Sequence, residues 1–286
     1  MKYIDRTGER REEATGQDKL LAWVYGHALT RMLIRPFVSP AVSKLGGKVL
    51  DSRLSALAVP RFVRKNHIEL QEYEEQKFRS YNAFFTRRIR EEMRPIERDE
   101  SVFISPCDGK ASVYPIDSEC RFVIKHTPYT VGQLVRSKRL AAYYEGGYAI
   151  VLRLTVDDYH RYCYIDNGEK SGQIHIPGVL HTVNPAANDV LPIYKMNTRE
   201  YCLLRTEHFG TVLMMEVGAL MVGRINNYHQ RCEVKKGQEK GRFEFGGSTI
   251  VVLTQKGKVK IDEDILRNTE EGYETIVKMG ERIGVK

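Results

Sequence analysis

The stretch Phe243-Glu-Phe-Gly-Gly-Ser-Thr-Ile-Val-Val-Leu-Thr254 joins a bend to a strand signal. Thr249 to Thr254 is rich in β-branched and large apolar residues, which predicts a strand. The two glycines before Ser248 favour a bend, because glycine adopts φ/ψ values that other residues avoid. The bend also leaves the carbonyl before Ser248 exposed to the Ser248 hydroxyl, which could attack it and form an ester. A plain bend into a strand is the more common meaning of such a sequence.

Working outward from this stretch, the body of the chain is rich in short strand signals separated by glycine turns. The turns are Gly146-Gly147, Asn167-Gly168 and Lys236-Gly237, and the predicted strands cover 148–155, 173–176, 201–205 and 211–217. The last 24 residues, from Glu263, are predicted to be helical. This part of the chain, 96–286, is therefore predicted to be a β-rich body.

The N-terminal part of the chain is predicted to be mainly helical rather than β-rich. Residues 1–18 are predicted to be a mobile, charged lead-in, and 19–66 to form two or three helices. Residues 67–92 are predicted to be helical and highly charged. Together with the β-rich body, this gives an α+β fold class in which a helical region spans 19–95.

Composition excludes several classes of protein. The chain has 286 residues and 42% are hydrophobic, so global disorder is excluded. The chain contains no run of 18 apolar residues, so a transmembrane helix is not predicted. The charged segment 1–18 does not resemble a secretion signal. The five cysteines are widely spaced without a C-x-x-C pair. This pattern predicts reduced thiols in a cytosolic compartment and no zinc site.

The net charge of +8 is concentrated near the N-terminus. Residues 19–65 carry nine basic side chains and one acid, Asp51, so this stretch accounts for the whole excess. Its apolar residues recur at helical spacing with Trp23 at the margin, which suits an anionic membrane surface. Packing of the same helices onto the protein's own core explains the pattern equally well. Nucleic-acid binding is not predicted, because stacking aromatics are not interleaved with the basic residues.

Three residues could together carry chemistry. Asp108 lies in a turn before a strand, His160 follows a strand, and Ser248 follows the two glycines. These types fit an arrangement in which an Asp orients an imidazole that takes a proton from a serine hydroxyl. Taken singly, each has a simpler structural explanation. No metal site is predicted, because His160 and Cys163 are three apart in an extended segment and point to opposite faces.

The order and spacing of several motifs resemble one family along nearly the whole chain. The chain resembles the bacterial phosphatidylserine decarboxylases, which are pyruvoyl enzymes. The matching motifs are Phe84-Phe-Thr-Arg-Arg88, Arg94-Pro-Ile96, Ser105-Pro-Cys-Asp-Gly109, Asp158-Tyr-His-Arg161, Ile176-Pro-Gly178, Thr182-Val-Asn184, Val217-Gly-Ala219, Lys236-Gly237, Gly241-x-Phe243 and Gly246-Gly-Ser-Thr249.

The resemblance implies a carboxy-lyase that matures by cutting itself. Cleavage between Gly247 and Ser248 would give a β chain, 1–247, and an α chain, 248–286, with Ser248 becoming a covalent pyruvoyl group. This cofactor would capture the amine of phosphatidylserine and act as an electron sink for loss of carbon dioxide, giving phosphatidylethanolamine. The expected partner is phosphatidylserine in an anionic membrane, with the protein peripheral on the cytoplasmic face of the cell membrane. A homodimer is a family expectation.

The resemblance also assigns roles, with one departure. Ser248 matches the self-cleaving serine and Asp108 the aspartate of the maturation triad. His160 matches the first histidine of a His-Arg-x-His pattern, but Cys163 replaces the second histidine, which is the usual base. His160 is therefore expected to serve both maturation and decarboxylation, with His175 or His181 as further candidates for the base.

Other functions remain open at this level. The chain could be a pyruvoyl decarboxylase of a different amine, or a membrane-binding relative that never matures because its base is lost. A basic nucleic-acid-binding protein is the least favoured alternative.

Overall fold

The computed structural model describes residues 2–12, 16–124, 126–220, 224–244 and 248–286, without the side chain of Gln17. The α-helices are α1 (Gly16–Gly26), α2 (Ala28–Ile34), α3 (Pro40–Leu50), α4 (Val59–Lys65), α5 (Tyr81–Phe85), α6 (Val131–Val135), α7 (Lys138–Ala141), α8 (Pro185–Asn188), α9 (Ile193–Met196) and α10 (Glu263–Glu270). The strands are β1 (Lys2–Ile4), β2 (Arg10–Glu12), β3 (Val102–Ile104), β4 (Gly109–Pro115), β5 (Arg121–Ile124), β6 (Thr127–Thr130), β7 (Tyr148–Leu154), β8 (Arg161–Cys163), β9 (Gly168–Lys170), β10 (Ile174–Ile176), β11 (Arg199–Thr206), β12 (Thr211–Val217), β13 (Arg224–Asn227), β14 (Cys232–Val234), β15 (Glu239–Glu244), β16 (Ser248–Leu253), β17 (Lys260–Ile261), β18 (Glu274–Val277) and β19 (Arg282–Val285).

A large mixed sheet forms the body of the protein. Its strand order is β14-β9-β11-β12-β16-β7-β4-β18-β1-β2, and β10 pairs with β11 as a branch. The strand predicted from the opening stretch, β16, lies inside this sheet between β12 and β7, and all six of its residues are buried. A continuous apolar run is what a strand buried on both faces requires, so the sequence signal and the position agree.

A smaller sheet, β13-β15-β8, brings two functional segments together. In it Arg242 of β15 lies opposite Arg161 of β8, and the backbone N–H of Phe243 donates to the carbonyl of His160 at 2.9 Å. His160 is therefore held beside the end of the strand that leads toward Ser248. The predicted α+β character is confirmed as a mixture of helices with a large mixed sheet.

Two predictions of local structure are wrong. The helix expected from Glu263 to the C-terminus ends at Glu270, because Gly272 adopts φ +81° and turns the chain into β18 and β19. The segment 67–92 was expected to be helical, but its α-helical part is only α5 (Tyr81–Phe85), flanked by single 3₁₀ turns. Long-range strand pairing outweighs the local helical signal in the first case. In the second, the segment folds back on itself through an antiparallel bridge between Tyr73 and Ile89.

The N-terminal segment also differs from a mobile lead-in. Lys2–Ile4 form β1, which pairs in parallel with β18, and Tyr3 is only 5% exposed. Beyond it, 19–66 was expected to form two or three helices, but four α-helices, α1 to α4, lie there, because Pro36 and the 3₁₀ turn at Arg53–Ala58 divide the segment further. Tyr25 anchors α1 in the main core, at 1% exposure. Among the described residues, no helix has the length and hydropathy needed to cross a bilayer.

Candidate functional site

Ser248 begins β16 and faces the interior. It lies opposite Leu154 of β7 and is fully buried, and its hydroxyl has no hydrogen-bond partner among the described residues. A buried hydroxyl without a partner costs about 1–3 kcal/mol, so such groups are rare unless they serve another purpose. The residues before it, 245–247, lie outside the described ranges. The predicted cleavage position at Gly247 therefore has no structural description here.

His160 lies between β7 and β8 and is fully buried. Its ring packs on Phe85 with a centroid separation of 3.9 Å. Its Nδ1 is 2.8 Å from the carbonyl oxygen of Asp158, and a carbonyl can only accept, so Nδ1 carries the proton. Nε2 is then a bare acceptor, and it is buried without a partner among the described residues.

Burial also keeps this imidazole neutral. Desolvation lowers the pKa of His160 to about 3, with nearby Arg87 and Lys110 acting in the same direction and Asp158 opposing them. A neutral imidazole with a free Nε2 lone pair is the form that can accept a proton. The surroundings of His160 thus set both its tautomer and its charge, and they leave Nε2 as the atom free to accept a proton.

Asp108 does not orient this histidine. It lies in the turn before β4, as predicted, and is 6% exposed. Arg94 donates to both carboxylate oxygens, from Nε at 2.9 Å and from Nη2 at 2.7 Å, and the backbone N–H of Met279 donates at 2.8 Å. Asp108 and His160 do not share a hydrogen bond in the described part of the chain. The expected linear Asp–His–Ser arrangement is therefore not assembled in this structure.

Cys163 occupies the position where the resemblance expects a second histidine. Its side chain is 1% exposed, and burial raises the pKa of its thiol to about 12. Cys163 lines a cleft of about 620 Å³ together with Arg94 and Arg161. A thiol with such a high pKa remains protonated near neutral pH, so it is a poor base.

The two outside candidates for the base have other partners. His175 is largely exposed, and its Nδ1 lies 3.3 Å from Glu200 Oε1. His181 is buried with its Nδ1 3.2 Å from the Tyr25 hydroxyl, and burial lowers its pKa. Among the histidines predicted as bases, His160 alone combines a fixed tautomer with a buried, unpartnered nitrogen in the described structure.

Sequence reasoning missed a buried network that supports His160. Lys110 Nζ donates to the two carboxylate oxygens of Asp158 at 2.8 and 2.7 Å and to Thr155 Oγ1 at 2.7 Å. Asp158 stands inside a motif quoted above and Lys110 directly follows another, so the two residues were visible in the sequence. Their contact was not, because 48 residues separate Lys110 from Asp158.

A second buried ion pair lies on the same sheet face as Ser248. Glu216 of β12 pairs with Ile250, two residues along β16 from Ser248. Its carboxylate accepts from Lys240 Nζ at 2.8 Å, and both side chains are fully buried. Burial raises the pKa of Glu216, and the Lys240 cation opposes that shift. This pair fixes the smaller sheet to the large one.

Comparison with known proteins gives a consistent result. A profile of the family described as phosphatidylserine decarboxylase matches residues 81–285. A protein of Clostridium acetobutylicum named phosphatidylserine decarboxylase proenzyme 2 is 43% identical over 265 residues, covering 92% of this chain and 91% of the relative. A Clostridium botulinum phosphatidylserine decarboxylase proenzyme is 38% identical over 293 residues, covering 100% and 99% of the two chains. A Clostridium novyi proenzyme of the same name is 38% identical over 280 residues, covering 96% and 95%.

Proposed function

The chain belongs to the phosphatidylserine decarboxylase family, and from that premise we propose that it is a proenzyme activated by its own Ser248. It is a carboxy-lyase that converts phosphatidylserine to phosphatidylethanolamine. Enzymes of this family depend on a pyruvoyl group, and we place its origin at Ser248 with cleavage after Gly247. The observation that carries this assignment is the buried, unpartnered Ser248 hydroxyl at the start of an interior strand.

The residues present fit such a group. A pyruvoyl made from Ser248 would remain covalently attached to β16, which adjacent strands hold on both sides. The buried position keeps bulk water away, and water would compete with an amine for a reactive carbonyl. When present, the group supplies an electrophilic carbonyl that captures the substrate amine and withdraws electrons as carbon dioxide leaves.

Maturation follows from the side chains themselves. The Ser248 oxygen forms a bond to the carbonyl carbon of Gly247 as the peptide C–N bond breaks, which converts an amide into an ester. The serine proton passes to a base, for which His160 Nε2 is the best-prepared atom. The proton is passed on to the amine that the shift releases. Elimination then removes the Cα proton of residue 248, forms a Cα=Cβ double bond and breaks the ester Cβ–O bond, which releases the β chain with a terminal carboxylate. Addition of water and loss of ammonia leave the ketone.

In the described geometry the Ser248 hydroxyl and the His160 imidazole are not yet positioned for proton transfer. Ser248 Oγ and His160 Nε2 both lack hydrogen-bond partners, so they are not bonded to each other. Proton transfer therefore requires the two side chains to come into contact, directly or through water. Catalytic hydrogen bonds commonly tighten only in the reacting complex.

Intact-mass analysis of purified protein tests the proposal. We expect two chains, 1–247 and 248–286, the smaller beginning with a ketone that borohydride traps with substrate amine. The His160→Ala variant should remain a single 33.0 kDa chain. His175→Ala is the matched control and should split normally. Unimpaired splitting of His160→Ala on a denaturing gel would refute the role of His160, and an unbroken wild-type chain would refute maturation itself.

The substrate is a bilayer lipid, and the N-terminal helices offer a surface suited to it. Large apolar side chains there are exposed, including Leu54 at 79% and Leu57 at 80%, and Trp23 at 56%. Soluble proteins rarely leave such a concentration of apolar surface uncovered. The nine basic residues of 19–65 accompany it, and each is worth up to about 1 kcal/mol near an anionic surface. We propose that this region docks peripherally on the cytoplasmic face of the membrane.

Vesicle flotation with point variants tests the docking region. Deletion of 19–65 is unsuitable, because Tyr25 belongs to the main core. Leu54→Gln/Leu57→Gln should weaken binding to anionic liposomes without affecting self-cleavage. Val123→Gln/Ile174→Gln, which changes exposed apolar residues of the body, is the control and should bind normally. Equal binding by both double variants would contradict the assignment.

A further inference from the structure

The turn between β7 and β8 is fixed from inside the protein. Asp158 Oδ2 accepts the backbone N–H of Thr155 at 2.6 Å and its hydroxyl at 2.9 Å, and the N–H of Asp158 donates to the Thr155 carbonyl at 3.0 Å. Lys110 Nζ reaches into this turn from β4 and binds both Asp158 oxygens and Thr155 Oγ1. The three residues form a closed network in which each polar group has a partner.

The same turn carries the carbonyl that orients His160. The Asp158 carbonyl oxygen receives the Nδ1 proton at 2.8 Å, and this contact selects the tautomer that leaves Nε2 bare. Rotation of the Asp158 peptide would remove the acceptor. The anchored Asp158 side chain, together with the bond from its N–H to the Thr155 carbonyl, fixes the Cα from which this peptide extends.

Asp108, the acid expected to orient the base, has other hydrogen-bond partners. It receives the guanidinium of Arg94 and the N–H of Met279, and the structure describes no contact between it and His160. The task of orienting the imidazole thus falls to another group in this chain. The Asp158 backbone, held by Lys110, is the group in contact with Nδ1.

We propose that Lys110 and Asp158 act as positioning residues that hold His160 in the Nδ1–H tautomer needed for self-cleavage. The inference rests on the proposed maturation at Ser248. Lys110 acts from a distance, through the turn, and touches neither the reacting atoms nor the imidazole. It is 8% exposed, so its loss would leave the buried Asp158 carboxylate without a cation, and the turn would rearrange.

Two variants and a control measure the effect on cleavage. Lys110→Met should slow self-cleavage about 10–100-fold, by analogy with the loss of groups that orient metal-bound histidines. Lys110→Arg keeps a cation within reach and should recover much of the rate. Lys170→Met removes another buried lysine, on β9 far from β4, and should cleave at the wild-type rate.

A spectroscopic measurement separates positioning from general damage. The ¹⁵N spectrum of the imidazole is recorded in a Ser248→Ala background, so that every protein is a single chain. We expect a protonated Nδ1 and a bare Nε2 for His160, and mixed tautomers after Lys110→Met. Thr155→Val, which removes only a hydroxyl from the network, should give a smaller change in the same direction and guards against misfolding of Lys110→Met.

The outcomes distinguish the two hypotheses. Wild-type cleavage by Lys110→Met, or slow cleavage with an unchanged His160 tautomer, would overturn the positioning role while leaving maturation intact. Failure of the wild type itself to cleave would overturn the proposed maturation. In that event the tautomer spectra still decide whether Lys110 orients His160.

Discussion

The low pKa of His160 predicts a specific loss of stability in mild acid. In the unfolded chain this imidazole titrates near 6.5, whereas burial lowers its pKa to about 3 in the folded protein. Below pH 6.5 the unfolded state binds a proton that the folded state does not. Stability present above pH 6.5 is therefore lost as the pH falls toward 3. At pH 5, about 1.5 pH units below 6.5, the loss is about 2 kcal/mol.

Urea denaturation of wild type and His160→Gln at pH 7, 6 and 5 isolates this contribution. Both proteins carry Ser248→Ala, so that a single unbroken chain unfolds. Near His160, Asp158 has a lowered pKa and Lys110 a raised one, so both stay charged across this range. The wild type should lose about 2 kcal/mol more than His160→Gln between pH 7 and 5. Parallel pH dependences would refute the argument that a buried, neutral His160 is present.

Three further experiments test the other buried groups of the site. Arg94→Met leaves the Asp108 carboxylate buried without a cation and should cost about 3–5 kcal/mol in urea denaturation, with a smaller loss for Arg94→Lys; a loss below 1 kcal/mol would contradict the pairing. Cys163→Ser should self-cleave within about twofold of the wild-type rate on a denaturing gel, because a thiol with a pKa of about 12 is not the base; a tenfold slower rate would reassign it. Lys240→Met should cost about 3–5 kcal/mol, and adding Glu216→Gln should restore part of it, whereas strictly additive losses would argue against a coupled pair.

Local sequence signals predicted the parts of the fold that depend on short-range pattern. The apolar run 249–254 predicted β16 because a strand buried on both faces needs consecutive apolar residues. The C-terminal strands were missed, since β18 is stabilised by partners more than 150 residues away, on β4 and β1, rather than by its own sequence. Pairing at that separation leaves no periodic trace in the segment itself.

The candidate site was likewise predictable from the sequence only in part. The residue types at 108, 160 and 248 could be recognised because motifs place them in turns and at strand ends. Their partners could not, because hydrogen bonding depends on which segments fold against one another. Arg94, 14 residues before Asp108, takes the acid that was expected to orient the imidazole. A backbone carbonyl fills that role for His160, and carbonyls carry no sequence signal at all.

The strand order has a consequence for the mature protein. A cut before Ser248 would leave a 39-residue piece that contains β16 and β18. In the sheet, β16 lies beside β7 and β18 lies beside β4, and the neighbouring strands β7 and β4 both belong to the larger piece. Strands β7 and β4 of the larger piece would thus lie between two strands of the smaller one. Separating the pieces would break the hydrogen bonds in the middle of the sheet. The two polypeptides should elute together, melt in one transition, and resist exchange with free fragment, although no peptide bond would join them.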